Sequence, residues 1–459
     1  MSSTQNKFPS ASREDWHALV SAVLRGGNPQ SLDRLDEDGL AIKALHDIAS
    51  YEAASADACA ITRLPVNPAS YIAHGWDICQ PVMANGSATD INRLILDELQ
   101  DGVGTIWLQG LQNDDLAGHL PAMMQDVVFA AAGIHLDAGN DVMAQIGAFA
   151  GFAKKADTNL AASRFHANID PFAPAADDDL LASALAYFMS ADADDLPPDM
   201  FRAQGWQWHN QGMTAVQELA YILASLTEIL RQGMARNIDL AHLVKHMSAS
   251  LALPADVFEG IAKCRALRRG WGGIVSALGL DPDAHRLCIH GAVSIRMFST
   301  IDSEVNMLRT TTALLGGAIG GADQLSAHPH NCLTGDDPMG RRLARMQQHL
   351  LIDESGLSRS LDPAGGAGFI ENRTDQLGLA AWLAFQQIEA GGGAIAAHQA
   401  GQFTAMARRG ASRRYARLAA GDLSQVEEKI QSETGTFHAN LTYEPVCLRP
   451  AEAGDVACV

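Results

Sequence analysis

Near neutral pH, histidine is the side chain best placed to move a proton or to hold a polarised carbonyl. In this 459-residue chain several histidines sit with amides and carboxylates in short groups. His166, Asn168 and Asp170 form one group, and Trp208, His209, Asn210 and Gln211 a second. His290 closes an ArgLeuCysIleHis run, His328, His330 and Asn331 form another group, and Asp362 opens an AspProAlaGlyGly turn. Such residues supply positioning donors and proton carriers, although a histidine at a strand end is more often a satisfied structural residue. No GxxxxGK[ST] phosphate loop, HExxH zinc helix or GxSxG nucleophile elbow occurs in the sequence. The seven cysteines (Cys59, Cys79, Cys264, Cys288, Cys332, Cys447 and Cys458) are odd in number, and none form a CxxC pair. A metal cluster is therefore not expected, and a reduced, cytoplasmic setting is the simplest reading.

These groups matter only if the elements around them bring them to one face. Short apolar runs recur at 105–109, 133–137, 163–167, 201–206, 247–252, 286–290, 324–327 and 360–363, with amphipathic stretches between them. The clearest of those are Thr214–Met234, Val305–Gly320 and Asp375–Ala390. Eight strands, each followed by a helix, predict a (β/α)8 TIM barrel, with a doubly wound open sheet as the alternative. In a barrel the polar groups above gather at the C-terminal ends of the strands. The glycine-rich 316–322 stretch ends a helix, so helix packing and a C-cap explain it.

Flanking segments complete the plan. Residues 1–12 are polar and read as a disordered tail. Ser12, Glu14 and Asp15 mark a helix start, with Trp16, Leu19, Val20, Val23 and Leu24 on one face and Gly26–Gly27 ending it. The helical pattern extends to about Ser50, and turn residues follow at Pro65, Asn67 and Pro68. The expected organisation is an N-terminal helical arm over 13–100, a barrel over 101–396, and a C-terminal helix with an extended tail over 397–459. The last helical stretch, Ala394–Ala420, carries a basic face of Arg408, Arg409, Arg413, Arg414 and Arg417. A solvated face or inter-subunit ion pairs account for it more simply than a phosphate site.

Composition narrows the partners. With 47% hydrophobic and 19% charged residues the chain is an ordinary globular one. Its formal charge of −20 argues against nucleic acid and anionic membrane surfaces. No apolar run is long enough to span a bilayer, and MSSTQNKFPSASREDW lacks a signal-peptide core.

The C-terminal half carries a more specific pattern. AsnMetLeuArgThrThr (306–311), GlyGlyAlaAsp (320–323), ArgArgLeuAlaArgMetGlnGln (341–348), GluSerGlyLeuSerArg (354–359), AspProAlaGlyGly (362–366) and AlaTrpLeuAlaPheGlnGlnIleGluAlaGlyGlyGly (381–393) follow in order. This succession resembles the acyl-CoA mutase barrel of the methylmalonyl-CoA mutase family. IleHis (289–290) and SerIleArgMet (294–297) look most like its small (beta) subunit. AspTrp (15–16), AspGlyLeuAlaIleLys (38–43), GlyTrpAspIleCysGln (75–80) and GluLeuAlaTyrIleLeuAla (218–224) extend the resemblance over essentially the whole chain.

The resemblance implies radical rearrangement of an acyl-CoA thioester, interconverting methylmalonyl-CoA and succinyl-CoA in propionate metabolism. Its adenosylcobalamin carries the hard step. It further implies a heterodimer in which a large (alpha) subunit carries that cofactor. The family's AspxHisxxGly cobalt-ligating motif has no counterpart here, because Asp283–Ala284–His285 lies out of place. This chain alone is accordingly expected to bind neither cobalamin nor a metal. The arm tyrosine that drives radical formation falls at Pro81, after Cys79 and Gln80, and a substrate-contacting arginine falls at His74. The family's Tyr-His-x-Gln becomes Trp208-His209-Asn210-Gln211, so His209 and Gln211 are expected vestiges of a catalytic pair. Trp206 and Trp208 add bulk where a substrate channel would run. Trp76, Asn168, Ser248 and His290 are the expected substrate contacts. The leading expectation is a non-catalytic subunit. An active barrel served by a separate cobalamin-binding chain and a non-enzymatic scaffold are the alternatives.

Overall fold

The computed structural model describes residues 11–46, 75–111, 115–129, 131–137, 142–161, 163–174, 176–335 and 337–420. Pro65, Asn67, Pro68, His74 and the tail beyond 420 lie outside the described residues.

The first helix, Arg13–Val23, starts at a capping box in which the Ser12 side chain and Asp15 satisfy each other's backbone N–H groups. It does not continue to Ser50. Gly26 takes φ +89° just past its end, and the chain turns into a small antiparallel hairpin, β1 (Arg34–Leu35) and β2 (Ala41–Ile42). The acidic hairpin tip fastens the arm to the barrel. Asp36 pairs with Arg373, and Glu37 pairs with Arg414 and, at 3.0 Å, with Arg296. Asp38 accepts from Thr214 Oγ1 and from the Val216 N–H. Burial would raise the Glu37 carboxyl, but Arg296 and Arg414 bring it down to about 2.

Eight parallel strands then close into a barrel. They are β3 (Asp77–Met83), β4 (Thr105–Gln109), β5 (Gly133–Leu136), β6 (Arg164–Ile169), β7 (Asp199–Gln204), β8 (Met247–Leu253), β9 (Cys288–Val293) and β10 (Gln324–Ser326). The predicted (β/α)8 class is the observed one, but its register along the chain shifts. The first strand, Asp77–Met83, lies inside the stretch read as the arm, and 360–363 forms no strand. Proline is usually excluded from inner strands because it lacks a ladder donor. Pro81 is accommodated because β10 ends at Ser326, opposite Cys79, leaving no partner on that side. The 360–363 segment is instead a turn held by Asp362, which accepts from Arg265 at 2.5 Å.

Side chains alternate across each strand. Ile78, Ile106, Leu108, Ile134 and Leu136 face the surrounding helices and join the main core, whereas Cys79, Trp107 and Ala292 face the lumen. The 21-residue helix Ala215–Ala235 begins at a Thr214/Gln217 capping box. Helix Val257–Ala277 packs on Val305–Gly320 along a glycine seam. A Cβ on Gly317 would come within 2.5 Å of Leu253 Cδ1, and one on Gly316 within 2.9 Å of the Val257 carbonyl. The glycine-rich stretch therefore serves close helix packing, and Gly321 at φ +83° ends the helix. The stretch read as one helix over 394–420 is two, Gly393–Gln399 and Gln402–Ala419. Among the described residues no helix is long and apolar enough to cross a membrane.

Candidate functional site

The lumen is the place where such a barrel would take a ligand, and here side chains occupy it in three tiers. The floor is charged. Arg164 reaches across to Asp77 at 2.5 Å and donates to the Gly104 and Ala131 carbonyls. Thr105 Oγ1 also donates to Asp77. Arg202, 1% exposed, donates to Asp199, to Ser248 Oγ at 2.7 Å and to Gln324 Oε1 at 3.2 Å. Burial would raise the Asp199 carboxyl, but Arg202 and His166 hold it far below the usual carboxylate range.

The middle tier is made of imidazoles, hydroxyls and one thiol. His135 and His166 stand with ring centroids 4.2 Å apart. Burial, with Arg202 and other histidines nearby, keeps His135 and His290 neutral, far below the ordinary histidine value. His290 lies between Ser326 Oγ, 2.6 Å from Nε2, and Ser250 Oγ, 3.1 Å from Nδ1. The Cys79 Sγ is 3.6 Å from His135 Nδ1, and burial pushes that thiol up to about 12.

Aromatic rings fill the mouth. Trp107 meets Trp206 edge-on at 5.3 Å, and Trp206 stacks on His328 at 5.7 Å with 7° between planes. Gln109 Nε2 lies 3.3 Å from His328 Nε2. Burial lowers His328 to about 4 and raises Asp137, at the rim, to about 6. Trp206 donates its indole N–H to the Val293 carbonyl at 3.1 Å, which fixes the ring across the opening.

The residues expected from sequence are placed as follows. Trp76 is fully buried on the outer side, donating to Gln348 Oε1 at 3.0 Å. Asn168 sits at φ +55° beside the irregular pairing of β6 with β7 and donates to the Leu136 carbonyl at 2.7 Å. Asparagine tolerates that left-handed backbone better than most residues. Ser248 is bonded on both sides, to Arg202 and, at 2.7 Å, to Asp199. His290 is held by the two serines named above. Of the four, Ser248 and His290 share the lumen, whereas Trp76 does not join them. Among the later candidates, Asn331 donates to Asp337 at 2.9 Å and Asp362 binds Arg265, so both serve loop structure.

His209 belongs to the short helix Gly205–Asn210, which starts directly after β7. Gly205 is needed there, since a Cβ would lie 2.6 Å from Ile222 Cδ1. The His209 ring is fully buried, with Nδ1 3.1 Å from Glu218 Oε2 and Nε2 3.2 Å from Ser294 Oγ. Glu218 also binds Lys263 Nζ at 2.6 Å, and Lys263 in turn donates to the Ala252 carbonyl at 2.6 Å. Burial and the nearby Arg296 lower His209 to about 3, and Lys263 outweighs burial to bring Glu218 to about 2. Thus Nε2 of His209 is hydrogen-bonded to Ser294, while Nδ1 lies against the Glu218 carboxylate without hydrogen-bond geometry. Gln211 caps the same helix and is half-buried. Trp208 points outward, donating to the Phe172 carbonyl, so only Trp206 adds bulk to the mouth.

The lumen side chains missed from sequence are Trp107, His135, Asp199 and Arg202. Period-two alternation along β4 and β5 points Trp107 and His135 inward, whereas Asp199 and Arg202, three residues apart on β7, do not follow one such alternation.

The architecture defines a closed (β/α)8 barrel whose lumen is filled from floor to mouth. The methylmalonyl-CoA mutase profile matches residues 178–430. A probable methylmalonyl-CoA mutase small subunit of Mycobacterium bovis is 31% identical over 433 residues, covering 86% of this chain and 68% of the relative. The methylmalonyl-CoA mutase small subunit of Streptomyces virginiae is 31% identical, covering 86% of this chain and 66% of its own. That of Propionibacterium freudenreichii is 26% identical, covering 84% and 63%. The chain belongs to the methylmalonyl-CoA mutase family. It spans about two thirds of the length of these small subunits.

Proposed function

We propose that the chain is a non-catalytic small (beta) subunit. It supports a large (alpha) subunit that carries adenosylcobalamin and interconverts methylmalonyl-CoA and succinyl-CoA. The observation that carries this reading is the filled lumen. An acyl-CoA rearrangement needs an open axis for the thioester and free donors around its carbonyl. Here Trp107 and Trp206 are 3% and 4% exposed across that axis, and His209 is tied to Glu218 and Ser294. Pro81 offers no hydroxyl at the position of the family's radical-forming tyrosine. The mouth does not fit the adenosyl group of a corrin cofactor, and no step through that group is assigned to this chain.

The partner role draws support from the arm. Helix Arg13–Val23 has no buried residue, and Leu19 and Val23 are 69% and 82% exposed. An amphipathic helix leaves its apolar stripe uncovered when another chain is to cover it. A partner that binds only the folded large chain stabilises it by mass action.

The test is co-purification with a cobalamin-bearing large subunit, followed by mutase assays of each chain alone and of the pair. The proposal expects a stable pair, turnover only when the large subunit is present, and none from this chain given a free-standing cobalamin-binding protein. Turnover in that last mixture contradicts it and favours a split enzyme.

A further inference from the structure

The middle tier of the lumen contains Cys79 from β3, His135 from β5 and His290 from β9. One ligand-type atom from each lies within 4.8 Å of the other two, and all three residues are buried. The filled-lumen reading uses these side chains only as packing, yet their chemistry is that of a ligand set. One thiol and two imidazoles form a borderline-soft donor set that selects zinc-class ions over magnesium or calcium.

The geometry fits at the one pair whose distance is fixed. A tetrahedral ion with metal–sulfur of ~2.3 Å and metal–nitrogen of ~2.0–2.1 Å holds its sulfur and nitrogen about 3.5 Å apart. Cys79 Sγ and His135 Nδ1 are 3.6 Å apart. The surroundings fit as well. Ligating imidazoles are normally aimed by a hydrogen bond from the other ring nitrogen; His290 has Ser250 and Ser326 on its two nitrogens, so one serine gives up its bond to the ion while the other aims the ring. Ser326 is also hydrogen-bonded with the Cys79 thiol. The His135 atom that faces Cys79 is Nδ1, while its Nε2 is buried without a hydrogen-bond partner. Arg202 donates to His135 Nδ1 at 3.2 Å. Coordination at Nδ1 displaces that Nη1 bond, while Nε and Nη2 of Arg202 keep Ser248, Asp199 and Gln324, and Asp199 offsets the charge.

We propose that Cys79, His135 and His290 form a binding site for one zinc-class divalent ion inside the barrel. Binding releases the thiol proton to solvent and forms metal–sulfur and metal–nitrogen bonds, with no change of oxidation state. Because Trp107 and Trp206 close the mouth above and the Arg202–Asp199 pair closes the floor below, the ion enters before the barrel closes. It is then retained against chelators in the folded chain.

The experiment is metal analysis of the untagged full chain, purified from zinc-supplemented culture and, separately, refolded with Zn²⁺ or Co²⁺ and dialysed against chelator. The expected result is about one ion per chain, with a thiolate-to-cobalt charge-transfer band in the Co²⁺ form. C79S removes the band, H290Q lowers the retained metal at least about tenfold, and H328Q, at the mouth, keeps both. Far-ultraviolet circular dichroism identifies any variant that fails to fold, and the unaltered chain decides the matter by itself. Metal below about a tenth of an ion per chain in both preparations, or content unchanged in folded C79S, overturns the proposal.

Discussion

The floor and the mouth of this barrel are both closed, but by opposite chemistry. The floor uses charge: Arg202 and Asp199 lie buried together, and Arg164 pairs with Asp77. The mouth uses rings: Trp107, Trp206 and His328 pack against one another. A buried ion pair is easily made costly by removing one member, because the other is left charged and dry. An aromatic plug fails differently, by leaving a void that its neighbours refill in part. The floor therefore depends on charge pairing and the mouth on ring volume.

The sharpest way to break the comparison is at the floor. D199A strands Arg202 and is expected to lower unfolding stability by about 3–5 kcal/mol, read by chemical denaturation. The double variant D199A/R202M restores most of that loss, because no charge is left stranded. A double variant as unstable as the single one would show that the floor works by shape. At the mouth, W206A is expected to cost about 3 kcal/mol, the lower end for aromatic truncation, since the rim can relax inward. It gains no mutase activity, because His209 remains bound to Glu218 and Ser294. Turnover appearing in W206A would make the plug the sole barrier to catalysis.

A pH series separates the lumen from the layer around it. His209 is held at about 3, below its ordinary value of 6.5, so the unfolded chain takes up a proton that the folded chain refuses. Its contribution is intact above pH 6.5 and shrinks as pH falls from 6.5 toward 3. Glu218, lowered from 4.5 to about 2, loses its contribution between those values. Asp170, raised by burial to about 6, works the other way, favouring the fold as pH falls below that value. The groups facing His209 are Glu218, Lys263, Arg296 and Glu37, so comparison with H209Q isolates the histidine. The stability advantage of the unaltered chain over H209Q, about 1 kcal/mol near pH 7, falls through zero and reverses between pH 6.5 and 4.5, because linkage removes about 1.4 kcal/mol per pH unit over that range. An advantage constant over that range contradicts the neutral, buried imidazole.

The barrel was legible in the alternation of short apolar runs with amphipathic stretches, and the Val305–Gly320 helix stands where its pattern placed it. The first strand was concealed by Pro81, which ordinarily argues against an inner strand and is allowed only because β10 is short. The 360–363 run forms no strand: Pro363 has no ladder donor, and Asp362 is used to hold Arg265. Ser248 and His290 were expected as substrate contacts; the structure places both in the lumen, bonded to serine, aspartate and arginine partners from other strands that no sequence pattern indicates. The Cys79–His135–His290 grouping was illegible for the same reason. It joins three separate strands, and only closure of the barrel, with β10 pairing back onto β3, sets the register that brings them together.

The central claim is that the lumen is filled, and the direct measurement is equilibrium binding of methylmalonyl-CoA and succinyl-CoA to the isolated chain. No saturable binding at millimolar ligand, with normal binding by a catalytic large subunit, is the result expected. One-to-one binding at micromolar ligand, lost in H290Q or S248A, would place a thioester in the lumen and contradict it.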